Sequence, residues 1–377
     1  MGRASGAGLM RRFRSDRGAV GIIVAILLAS GVLLGVAALS VDVGQLTAER
    51  EQLMSAADGA AQTIAVNCAK NAAACSTAVG LDAVVAQAEA VANENGNDGR
   101  NDVTVVCGVG GALAPCDPNS EPVNLTACLN SPPTSVNYVE VHTATRTSDS
   151  STLLPTAFAG TFVSGYHGAT IGACSRVEWG TPRSGLSLTI SLCEWSNATG
   201  NGTSFVSYPP NPPASAERII YLHGQNASSC MNTPPSGFDA PGGFGWLDPD
   251  LGNTNCVTSI PADGTYPGNT GNSLTPDCQT ALDAAVASKQ PIVFPVYNGT
   301  KGNGANLTYS VAGMASFVVT GYYYPGKGTD KPSWLTGGDP CGGNDRCIYG
   351  FFTNALLDHG TIGSSTSHGA AIIYTVG

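Results

Sequence analysis

Charged side chains are scarce in this chain: Asp, Glu, Lys and Arg make up 12% of its 377 residues. The 17 basic residues are outnumbered by 27 acidic ones, a net charge of −10, which excludes the basic footprint that nucleic acid demands. Cysteine is missing from the start of the chain, where the first is Cys68. Aromatic residues are also missing there, since Phe13 is the one example before Tyr138. Large side chains dominate core energetics, so the main core is expected from residues 138–377, with the earlier helices on it as a lid or stalk. No Cys-x-x-Cys occurs and no His pair lies near the cysteines, which excludes zinc. There is no Gly-x-Ser-x-Gly elbow and no internal repeat.

One long apolar run is present. Ala19–Val41 holds no charge between Arg17 and Asp42, and at 1.5 Å per residue it reaches roughly 34 Å. That length predicts a membrane-spanning helix whose backbone satisfies itself in lipid. Arg3, Arg11, Arg12, Arg14 and Arg17 precede the run, so residues 1–18 are expected in the cytoplasm and the rest outside. Two other treatments of the run are open. Val36-Ala37-Ala38 could serve a signal peptidase, although the run exceeds the usual signal core of about 7–15 residues. Gly18 stands where prepilin processing occurs, but Ile23 replaces the Glu expected five residues on. Gly31 and Gly35 form a small-xxx-small pair suited to close helix approach, or are simply the glycines common in membrane helices.

Residues 42–66 continue with helical periodicity. Leu46, Leu53, Ala57, Ala60 and Ile64 recur on one face, and Glu49, Arg50, Glu51 and Gln52 take the other. This is either a stem rising from the membrane or the first helix of the outer domain.

The segment from Arg17 to Ala65 resembles the N-terminal region of TadE/TadG-like proteins of Flp (tight-adherence) pilus assembly. The resemblance rests on Arg17-Gly18 before the apolar run, Val41-Asp42-Val43-Gly44 at its outer end, and the Glu49–Ala61 stretch. Pro241–Asp248 and Ile292–Tyr322 are similar to the outer regions of such proteins. The Ile at 23 inclines the resemblance to the TadG-like branch. Some TadG-like proteins carry an Asp-x-Ser-x-Ser metal site, and Asp149-Ser150-Ser151-Thr152-Leu153 departs from it at the last position. The resemblance implies a membrane-anchored, non-enzymatic component without metal or cofactor. Its partners would be the lipid bilayer and pseudopilins or other pilus-assembly membrane proteins.

Setting aside the tail's charge of +4 leaves −14 outside, a surface repelled by anionic headgroups. All twelve cysteines lie beyond the apolar run, as disulfides formed in an oxidising compartment would. Short loops favour Cys68–Cys75 and Cys341–Cys347, then Cys107–Cys116, Cys174–Cys193 and Cys256–Cys278. The expected class is α+β: a single transmembrane helix (19–41), a helical stem (42–66), a helix and strand region (67–137) and a β-rich extracytoplasmic domain (138–377). The Pro-rich stretch 208–214 either divides that domain or forms a surface loop.

Helices are expected at Leu81–Asn95 and Asp277–Ser288. Strands are expected at Val103–Val109, Tyr138–Thr145, Leu186–Trp195, Arg218–His223, Pro291–Tyr297, Tyr309–Tyr324, Cys347–Thr353 and Ala370–Val376. Little here carries chemistry. Pro241–Asp248 lacks the spacing of a dinucleotide loop. Asp248, Asp250 and Asn253–Asn255 are oxygen-rich without the EF-hand pattern. The six Asn-x-Ser/Thr strings (Asn124, Asn197, Asn201, Asn226, Asn298, Asn306) suit glycans only in a eukaryotic route. Two alternative functions remain. A surface adhesin or glycan binder needs Trp179, Trp195, Trp246 and Trp334 exposed, and Glu178 and Glu194 stand beside two of them. A tethered hydrolase needs His359 or His368 within reach of a Ser and a carboxylate.

Overall fold

The structure, a computed structural model, describes residues 16–29, 31–96, 99–117, 128, 131–222, 230, 234–239, 242–250, 255–268, 274–325, 330–357, 360–363 and 366–376. The apolar run forms two helices, α1 (Asp16–Ala29) and α2 (Val32–Lys70). This corrects the expectation of one continuous helix over Ala19–Val41. Gly31 precedes α2 at φ 73°, a left-handed conformation that a residue without Cβ adopts freely. Hydrogen bonding bridges the break, because Gly31 N–H donates to the Leu28 carbonyl and Gly35 N–H to the Gly31 carbonyl. No helix among the described residues is by itself long and apolar enough to cross a membrane.

α2 continues to Lys70 for 39 residues, and its second half is an integral wall of the domain. Leu53, Ala56, Ala57, Ala60, Ala61, Ile64 and Ala65 are all fully buried. The segment 42–66 is therefore no free stem. It packs on a sheet and on α3, Ala78–Asn95, which lies beside it. The alanines permit this close approach because they add little width. At Gly59 the two helices meet closely, since an added Cβ would fall 2.8 Å from Asn95 Nδ2. The disulfide Cys68–Cys75 closes the connection between the two helices, and the Thr77 side chain caps α3 by accepting from Gly80 N–H.

The first sheet runs in the order Asn101–Val109, Asn137–Thr145, Gly172–Pro182, Ala370–Thr375, Ala355–Leu357. Val139 faces Val177 in register, and Val139, Val141, Val177 and Trp179 supply the face that α2 and α3 cover. Alternation puts Glu140, His142 and Arg176 on the opposite face. There the Arg176 guanidinium donates to Glu140 Oε1 through Nε and Nη2, each at 2.7 Å. Burial raises the Glu140 pKa, but the His142 and Arg176 hydrogen bonds and charges outweigh it and hold the carboxyl below its ordinary value.

The second sheet orders Arg218–Tyr221, Cys347–Thr353, Thr308–Tyr323, Ile292–Lys301, Leu188–Ser191 and Phe244–Trp246. Its long central strand, Thr308–Tyr323, is antiparallel to both neighbours. The helix Pro276–Ser288 packs on it through Leu282, beside Phe294, Phe317 and Phe352. The aromatic-rich core thus sits where composition places it, but the N-terminal helices build a second, alanine-rich core with the first sheet. The expected strand Leu186–Trp195 ends at Ser191, and Leu192–Thr199 is a helix. Ser191 starts it by accepting from Glu194 N–H.

All twelve cysteines are bonded, so the β-rich domain and its helices carry six disulfides. The expected Cys174–Cys193 pair is not formed. Cys174 bonds Cys128, with the cysteines 46 residues apart, and Cys193 bonds Cys230, 37 residues on. The long chain path between these partners gives sequence spacing no purchase on their pairing.

Candidate functional site

The region around the start of α2 is the most distinctive part of the surface. Val20, Ile22, Ile23, Val24, Ile26 and Leu28 on α1 are exposed, as are Val32, Val36, Leu39, Val41 and Val43 on α2. Soluble surfaces seldom carry so continuous an apolar area, and one this long marks a membrane or protein contact. Gly31 and Gly35 lie within it, and a Cβ at either would meet nothing within 4 Å. Leu46, Leu53, Ala57, Ala60 and Ile64 do not belong to it. Leu53 packs against Ile171 and Ala173 with Leu46 beside it, and Ala60 and Ile64 sit in the core with α3.

Asp42 ends that run and is buried. Its Oδ1 accepts from the backbone N–H groups of Ala157 (2.7 Å) and Phe158 (3.1 Å), and its Oδ2 accepts from Ala159. The three successive amides open the short helix Ala159–Phe162, so one carboxylate satisfies donors that have no partner inside the helix. Asp42 thereby latches residues 157–159 to α2 across a sequence separation of more than a hundred residues. Asp42 belongs to the Val41-Asp42-Val43-Gly44 motif, which by itself carries no sign of this contact. Its readable signal is its position as the first charge after the apolar run.

That geometry coincides with a family match. Residues 18–63 match the family model described as "Tad: Putative Flp pilus-assembly TadE/G-like". The segment is similar to the TadE/G-like domain of Flp pilus assembly. It takes in most of α1, the Gly31 break, Asp42 and the α2 residues through the buried alanines. No curated protein and no solved structure matches the chain.

Trp179, Trp195 and Trp246 are buried, and Trp334 is partly buried with the Lys289 ammonium 4.7 Å from its ring centre. The exposed tryptophan face that a glycan binder needs is not built from these residues. Glu178 stands in the first sheet opposite Tyr138, and Glu194 lies in the first turn of the Leu192–Thr199 helix. His368 is buried against Trp195, with ring centres 4.3 Å apart, and burial pushes its pKa down to about 4. Its Nε2 has no hydrogen-bond partner among the described residues and points at Gly313, whose added Cβ would lie 2.9 Å away. Ser367 Oγ donates instead to the Ala370 carbonyl. His359, like His223, lies outside the described residues.

Asp250 is already engaged. It accepts from Ser259 N–H and from the Tyr266 hydroxyl at 2.9 Å. Burial raises its pKa and these bonds outweigh that, so it sits below the ordinary carboxylate value. Asn253 falls outside the described residues. Glu140, His142, Cys128 and Cys174 lie close enough to suggest a metal cluster. The two cysteines are bonded to each other, and a disulfide sulfur lacks the thiolate charge that ligation uses. A cleft of about 650 Å³ lies between the end of α2 near Lys70 and the edge of Trp195 and Phe205. Its walls combine the Trp195 and Phe205 rings and several alanines with amides, hydroxyls and the Lys70 ammonium, with no carboxylate.

Proposed function

We propose that this chain is a membrane-anchored, non-enzymatic component of Flp/Tad pilus assembly on the outer face of the cytoplasmic membrane. The observation that carries the reading is the match over residues 18–63, which falls on the exposed apolar run and on the helix that run feeds into. α1 and the start of α2 cross the hydrocarbon jointly, with Gly31 as an interior break of the kind membrane helices tolerate. The arginines before the run keep the tail inside. Six disulfides suit the oxidising side. Among the described residues, His368 Nε2 meets no Ser hydroxyl and Asp250 is engaged by Ser259 and Tyr266, so neither side chain lends support to a tethered hydrolase or a calcium loop.

The head is then a rigid platform, and the apolar run is the element left to meet other membrane helices of the pilus machinery. Its test has two stages. Alkaline extraction and tail labelling should leave the chain in the membrane with its tail reachable only after the cells are opened. Photocrosslinkers at Val24 and Val36 should then capture a pseudopilin or a platform protein. A chain released into the medium, or a tail labelled on intact cells, would overturn the reading.

A further inference from the structure

The loop that Asp42 holds has a composition unlike the rest of the head. Residues 150–175 contain no Asp, Glu, Lys or Arg, although the chain carries 27 acidic residues overall. The loop is closed at its base by two short antiparallel strands, in which Leu154 pairs with Ala169. Leu154 also packs beside Leu53 and Ile171, which fixes the base to α2. At the tip the order reverses, and Phe158, Phe162 and Val163 are 48%, 63% and 54% exposed. Aromatic residues in this chain are otherwise mostly buried, as Phe244, Phe294, Phe317 and Phe351 are. The tip therefore presents two phenyl rings to solvent on a firmly anchored loop.

We propose that this tip is a second membrane contact, inserted into the interface between headgroups and acyl chains beside the point where the α2 helix emerges. The proposal rests on the anchored reading above. Its placement follows from Asp42, which is both the first charge after the apolar run and the acceptor for the Ala157, Phe158 and Ala159 amides. The tip is thus tied to the level at which that run leaves the hydrocarbon. Val41 and Val43 flank Asp42 on the helix and are exposed, so the helix is still apolar to either side of the latch at this level.

Lipid is the occupant that this chemistry fits. The uncharged loop meets no repulsion from anionic headgroups, whereas the rest of the head is acidic. Exposed phenyl rings on a short helix suit the boundary zone, where apolar side chains bury while the backbone ends stay wet. A single helix leaves the head free to swivel. A second contact fixes its tilt, and with it the face offered to neighbouring proteins.

The test uses the full chain in vesicles of mixed zwitterionic and anionic lipid, with doxyl labels at carbon 5 or carbon 12 of the acyl chain. Phe162→Trp is the reporter of the tip and Val24→Trp the reporter of the anchor, with wild-type emission subtracted. The proposal expects Phe162→Trp to shift to the blue and to be quenched more by the shallow label than by the deep one. Val24→Trp should be quenched as well. If Val24→Trp is quenched and Phe162→Trp is not, the interfacial contact is refuted while the anchor stands. If neither is quenched, the anchored reading fails and takes the contact with it. Phe158→Trp provides a second reporter should Phe162→Trp fail to fold. Quenching at neither tip position with an intact anchor would instead leave the rings facing protein or water, which refutes the proposal.

Discussion

Replacing Asp42 with Ala should unlatch the 157–159 segment without unfolding the domain. The carboxylate accepts from three backbone amides, at 2.7 Å from Ala157 and 3.1 Å from Phe158, with Ala159 on the second oxygen. Hydrogen bonds to a charged group contribute about 1.5–3 kcal/mol each. The three share one acceptor and the tip is open to water, so their effects do not add fully. Asp42→Ala should therefore lower the local opening free energy by about 3 kcal/mol, roughly a hundredfold in amide protection. Asp42→Asn keeps one oxygen, able to serve two of the amides, but turns its NH2 group toward the third. It should fall between, at about 1–2 kcal/mol.

Hydrogen exchange read at Ala157, Phe158 and Ala159, with the strand amides of Val139 and Val141 as reference, measures this directly. Exchange should accelerate at the three latched amides and stay slow in the strand. Unchanged protection at 157–159 in Asp42→Ala would refute the latch. A uniform acceleration throughout would mean that Asp42 supports the fold as a whole and not this segment.

Leu53, on α2, is fully buried against Ile171 and Ala173, so Leu53→Ala should cost about 2–5 kcal/mol in urea denaturation. Its exposed neighbour Met54→Ala should stay within about 0.5 kcal/mol, and equal effects would contradict the packing of α2. His368 is neutral when folded because its pKa is pushed down from 6.5 to about 4. The unfolded chain binds the extra proton between those values, so stability should rise with pH across that window, with a slope approaching 1.4 kcal/mol per unit. His368→Gln should flatten that window, and an unchanged slope would refute the assignment. Peptide mapping without reduction should recover Cys128 linked to Cys174 and Cys193 linked to Cys230; a Cys174–Cys193 peptide would contradict the structure.

Local patterns were readable where local forces dominate. Helical spacing within 81–95 marks α3, which the structure extends back to Ala78, and the alternation of 138–145 marks its strand. The Leu192–Thr199 helix is hidden in the sequence because the strand-like alternation of Leu186, Leu188, Ile190 and Leu192 runs straight into it. Ser191 and Glu194, three residues apart, were its legible signal. The stripe Leu46–Ile64 was visible, but not its occupant, because an apolar face is equally suited to its own sheet or to another protein.

By itself the sequence determined the α+β class, the apolar N-terminus and its family resemblance, the oxidising setting and the acidic head. Each depends on composition or on spacing within a few turns of helix. Tertiary structure alone decided that α2 is a wall of the domain, that Cys174 bonds Cys128, and that Asp42 grips amides more than a hundred residues away. Those outcomes depend on which surfaces meet after the chain has folded back on itself, and no local periodicity encodes a contact across that distance.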